Sequence, residues 1–122
     1  MRCFCAIATL ACLLWFGQNL PAQTKVDSLE NLLRQHPARD KKRVSLLLDY
    51  AWEIRGGDLN KRIQSLNEAL HLSLALGFEQ GIGDAEMQLG NCYQTKGELE
   101  SAEEAFTRGI AIRQKLGDVK GV

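Results

Sequence analysis

Residues 76–81, LGFEQG, return forty positions later as 116–121, LGDVKG, and this return constrains the fold more than any other feature of the chain. At the same offset Gly57 meets Gly97, Asp58 meets Glu98, Leu59 meets Leu99, Leu66 meets Phe106, Ala69 meets Gly109 and Leu70 meets Ile110. Small residues meet small ones, and large apolar residues meet large ones. One helix earlier the register slips by one, so that Ala51 pairs with Gly90. A period of about 40 residues marks stacked units, each of which buries its apolar face against a neighbour.

The spacing inside the units is helical. A first helix is expected around VDSLENLL, with Asp27 as its cap, Glu30 closing a capping box, Leu29, Leu32 and Leu33 on one face, and Pro37 ending it. A second should run from Asp40 to Arg55 on Val44, Leu47, Leu48 and Ala51, and stop at Gly56-Gly57. The third starts after Asp58 and carries Ile63, Leu66, Ala69, Leu70 and Leu74 to Gly77. Gly81 and Gly83 should then punctuate the chain before Ile82, Ala85, Leu89 and Tyr93 share a face. After Gly97 a last helix carries Leu99, Ala102, Phe106, Ile110 and Leu116. No useful length alternates with period two, so the expected fold is all-α. It is a helix-turn-helix repeat solenoid of about two repeats, preceded by one extra helix.

The first residues are of another kind. Arg2 precedes an apolar run from Cys3 to Phe16, followed by Gly17 and QNLPAQ. A basic start and an apolar run of this length describe a secretory signal peptide over 1–22, cleaved after Ala22; a membrane span needs about 20 apolar residues. Cleavage removes Cys3, Cys5 and Cys12, leaving Cys92 with no partner for an intramolecular disulfide. The expected organisation continues with a leading helix over 23–39, a divergent first repeat over 40–80 and a second over 81–117. Residues 118–122 then begin a further repeat or form a truncated end.

The second unit resembles a tetratricopeptide repeat. Leu89, Gly90 and Tyr93 in its first helix, Gly97 in the turn, and Ala102 and Phe106 in its second helix stand at that family's spacing, in the roughly 40-residue variety. Three positions depart from the pattern: Glu86 replaces a bulky aromatic, Arg62 a small Ala, and Gln114 a Pro. Physically, Gly90 and Ala102 let the two helices approach, while Tyr93 and Phe106 fill the space around the contact. The resemblance implies a concave face that holds peptides or partner domains. By position that face would include Trp52 and Arg55 in the first unit, and Met87, Asn91, Gln94 and Thr95 in the second. Asn and Gln can hold a peptide backbone through hydrogen bonds, and Trp and Arg are favoured interface anchors.

Catalytic patterns are thin. Neither His36 nor His71 stands at metal-ligand spacing with Cys92 or a carboxylate pair, so no metal or cofactor is expected. His36 is expected in an exposed capping role and His71 at a packing boundary. Cys92 has neither a CxxC partner nor a neighbouring base, and is expected to be a small core residue. GFEQGIG lacks the Lys-Ser/Thr ending of a phosphate loop. Fifteen basic residues balance fifteen acidic ones, and the RDKKR run at 39–43 is expected to be a solvated face, so no nucleic-acid partner is expected.

The expectation is therefore an exported, non-enzymatic module that binds a protein or peptide. It would touch a membrane only through an uncleaved signal or a downstream segment. Signal, leading helix and long repeats together resemble the extracytoplasmic part of bacterial signalling proteins, in which a repeat array precedes a membrane helix and an output domain. A standalone envelope scaffold or assembly protein is the alternative.

Overall fold

The computed structural model describes residues 21–117. Five helices follow one another: α1 (Pro21–Gln35), α2 (Lys41–Glu53), α3 (Leu59–Leu76), α4 (Glu79–Lys96) and α5 (Leu99–Lys115). Helix is the only regular secondary structure among the described residues, with no strand. Each helix packs against the next, and α2 also touches α4.

Local chemistry sets most of the ends. Asp40 and Asp58 are extended residues whose carboxylates accept from the backbone N–H groups of Arg43 and Lys61, capping α2 and α3. Gly77 and Gly97 close α3 and α4 in the left-handed conformation that glycine enters without strain. The acidic cap of α2 is reinforced by His36, whose Nε2 lies 2.8 Å from Asp40 Oδ1. The Arg43 N–H, and then His36, hold the Asp40 carboxyl below its usual range.

Four expectations need correction. Asp27 is not a cap: α1 is already helical from Pro21, so Asp27 lies inside it, and Glu30 instead accepts from the Tyr50 hydroxyl at 3.2 Å. Gly81 and Gly83 do not interrupt the chain; both are buried within α4. His71 faces solvent rather than a packing boundary. His36 is half-buried and bound to the carboxylate that caps α2. Of the expected signal peptide, residues 1–20 lie outside the described residues, as do residues 118–122.

The core is one contiguous cluster: Val44, Leu47, Leu48 and Ala51 from α2, Leu66, Ala69 and Leu72 from α3, and Ala85, Leu89 and Cys92 from α4. Polar clamps close the other seams. Lys25 meets Glu53 at 3.0 Å between α1 and α2, and Arg43 meets Glu68 at 3.2 Å between α2 and α3. Arg43 also donates to the carbonyls of Leu33 and His36, tying the end of α1 into the same knot. Two members of the RDKKR run, Asp40 and Arg43, are therefore structural, while Arg39, Lys41 and Lys42 are exposed.

Glycines set the approach of the helices. A Cβ on Gly90 would lie 2.6–2.9 Å from three atoms of the Phe106 ring. One on Gly109 would lie 2.8 Å from Met87 Sδ, and one on Gly83 3.3 Å from Ile112. The close approach of α4 and α5 is thus tightest at Gly90, against the Phe106 ring, and is helped by the missing side chains of Gly83 and Gly109. In the first unit the contact differs, because the position of Ala102 is taken by Arg62. That residue is buried, and its Nε has no hydrogen-bond partner.

Candidate functional site: the α2–α4 cleft

Where α2 and α4 meet, a cleft of about 450 Å³ opens. One wall is Ser45, Leu48, Asp49 and Trp52 of α2; the other is Asp84, Met87, Gln88 and Asn91 of α4, with Arg113 reaching in from α5. Each wall follows the same helical stripe, with positions i, i+3, i+4 and i+7 counted from Ser45 and from Asp84. The two stripes sit at the one-residue-slipped repeat offset that pairs Ala51 with Gly90.

The cleft has a distinct chemistry. Trp52 is 49% exposed, and the Arg55 guanidinium lies 4.3 Å from its ring centroid while donating to the Trp52 carbonyl. The cation is drawn to the ring face by its quadrupole, and Trp52 remains a lining residue of the cleft. Arg113 pairs with Asp84 at 3.5 Å, so one carboxylate of the walls is neutralised. Gln88 donates to the Leu48 carbonyl at 3.4 Å, a bond that ties the two walls together, but its Oε1 is buried without a donor. A buried acceptor left without a donor costs about 1–3 kcal/mol.

No family model, curated protein or solved structure matches this chain.

The structure brings together three of the six expected groove residues. Trp52, Met87 and Asn91 line the cleft, and Arg55 reaches it only through the Trp52 ring. Gln94 lies elsewhere, in a hollow between α4 and α5 with Leu99, Phe106 and Ile110. Thr95 is exposed and donates its hydroxyl to the Asn91 carbonyl one turn back. Sequence reasoning missed Ser45, Leu48, Asp49, Asp84, Gln88 and Arg113. All but Arg113 could have been found by stepping back along the helical stripe from Trp52 and Asn91. Arg113 sits on a different helix, and no local spacing points to it.

The remaining reactive groups are built into the packing. Cys92 is fully buried, and burial pushes its thiol up from the usual range, against a smaller opposing effect of the Arg62 charge. A thiol held in its protonated form is a poor nucleophile. Glu86, one of the three departures from the repeat pattern, is also buried, and Arg108 clamps it with Nε at 3.0 Å and a second nitrogen at 3.2 Å. This forked pair raises the Arg108 pKa and satisfies the carboxylate in place of the bulky aromatic. Among the described residues no group of three or more His, Cys, Asp or Glu side chains is placed to hold a metal ion. No helix among them is long and apolar enough to cross a membrane.

Proposed function

We propose that this chain is an exported, non-enzymatic, tetratricopeptide-like module that captures an extended peptide or a partner's loop in the α2–α4 cleft. The observation that carries the reading is the matched pair of stripes, Ser45–Leu48–Asp49–Trp52 against Asp84–Met87–Gln88–Asn91. Two successive units presenting the same face to one cleft give a bound chain equivalent contacts at a regular interval. The Trp52 indole supplies apolar area, and the exposed Asn91 amide supplies a partner for peptide amides.

Export rests on the leader at 1–22, and the resemblance to extracytoplasmic sensor regions makes the cleft the input of a signalling protein. N-terminal sequencing of the protein recovered from an exporting bacterial host should return Gln23 first. Recovery of the intact leader from the cytoplasm would defeat the export reading.

Removal of the leader also leaves Trp52 as the only tryptophan, since the other is Trp15. Twelve-residue peptides selected from a random display library on the immobilised chain should shift the Trp52 emission when titrated. Asn91→Ala should weaken them about tenfold, the loss of one well-placed interface contact. Peptides that bind without moving the indole emission, and indifferently to Asn91→Ala, would place recognition elsewhere.

A further inference from the structure

The charges that line the α2–α4 cleft do not cancel. Three of its nine lining side chains are charged: Asp49, Asp84 and Arg113. Arg113 neutralises Asp84 at 3.5 Å, whereas the exposed Asp49 carboxylate has no ion pair or hydrogen bond among the described residues. The basic side chains near it on the chain are engaged elsewhere. Lys41 lies 5.2 Å from the Phe78 ring centroid, Arg43 holds Glu68, and Arg55 stacks on Trp52. Lys42 stands two turns before Asp49, about 10 Å along the axis and beyond the ~8 Å screening length at physiological salt.

The two walls differ at this position. At the slipped repeat offset that pairs Ala51 with Gly90, Asp49 matches Gln88, a neutral side chain that donates to the Leu48 carbonyl. Asp49 is therefore the one uncompensated charge of the cleft. While water solvates it, the carboxylate costs nothing. A ligand laid in the cleft removes that water, and an apolar or acidic group over Asp49 would leave a desolvated charge without a partner. A basic side chain restores the partner. Trp52 stands one helical turn on from Asp49, which puts their Cβ atoms about 5–6 Å apart on one face. The aliphatic stem of a lysine or arginine can lie along that half-exposed indole while its head meets the carboxylate.

Resting on the cleft's role as a peptide seat, we propose that it selects basic peptides: one arginine or lysine side chain of the ligand seats on Asp49 with its stem against Trp52. Arginine is the better fit, because its planar guanidinium forks onto a carboxylate through two parallel hydrogen bonds. Arg113 sets the strength of the preference. While it holds Asp84 the cleft presents one free negative charge, and without it two.

The test selects random twelve-residue peptides on the immobilised chain, and in parallel on its Asp49→Asn and Asp49→Lys variants. The natural chain should enrich Arg and Lys, Asp49→Asn should lose that enrichment, and Asp49→Lys should replace it with Asp and Glu. For a peptide from the first selection, Asp49→Asn should weaken binding about tenfold. Replacing the peptide's basic residue by Ala should then cost little more, because both changes remove the same contact. Arg113→Gln should tighten the same peptide about threefold, a gain that misfolding cannot produce. Raising the salt should weaken the natural chain's binding more than that of Asp49→Asn. Peptides that move the Trp52 emission and depend on Asn91, yet show no basic enrichment or ignore Asp49→Asn, would overturn this preference and leave the cleft reading intact. If no selected peptide moves that emission, the cleft reading fails and the preference falls with it.

Discussion

Gly90→Leu should lower the melting temperature by roughly 10 °C or more, measured by circular dichroism on the chain without its leader. A side chain at this position has nowhere to go: its first carbon alone would lie 2.6 Å from Phe106 Cε1 and 2.7 Å from Cδ1. Three further carbons must then be accommodated between α4 and α5, which are held together by the Glu86–Arg108 fork. Overpacking of this kind costs about 1–3 kcal/mol and sometimes more, at about 4–8 °C per kcal/mol for a domain of this size. Gly90→Ala separates the causes. Alanine recovers about 1 kcal/mol of helix propensity, so only its encounter with the ring can make it harmful. In a Phe106→Leu background Gly90→Ala should therefore become neutral or stabilising, and the non-additivity of the pair measures the contact. An unchanged melting curve for Gly90→Leu would refute the close approach.

Leu66→Ala should be comparably damaging for the opposite reason. Leu66 is fully buried in the cluster shared by α2, α3 and α4, so its truncation leaves a cavity lined by side chains from three helices. Such truncations cost about 2–5 kcal/mol, the spread reflecting how far the walls can relax. The restraint here is strong, because α2 is pinned to α1 and α3 by the Lys25–Glu53, Tyr50–Glu30 and Arg43–Glu68 contacts. Ile110→Ala is the matched control, since nearly half its side chain already faces water and little transfer energy is lost. Equal costs for the two substitutions in urea unfolding would mean that the burial difference between the units is not real in solution.

The parts of this fold that were legible in the sequence are those governed by neighbours a few residues away. Asp40 and Asp58 announce helix starts because a short carboxylate reaches the N–H three residues on. Gly77 and Gly97 announce helix ends because the left-handed conformation favours glycine. The repeat offset and the apolar stripes predicted all five helices. The errors lie where the answer depends on what stands opposite. Gly81 and Gly83 read as breaks by composition, but Ser73, Phe78 and Ile112 lie against them and make them contacts. Asp27 read as a cap by type, but the helix had already begun. The cleft was half legible: Trp52, Met87 and Asn91 follow from the stripe, whereas Gln94 was misplaced because α5 comes up beside it.

The glycines of α4 have a further consequence for how the fold is held. This helix contacts three of the other four and supplies a third of the core cluster, yet it is the poorest helix former of the set. Gly83 and Gly90 in its interior cost about 2 kcal/mol relative to alanine, and its first turn has no side-chain cap. Left to itself α4 would be a weak helix, so its order rests on packing against α2, α3 and α5, and whatever loosens it loosens both units at once.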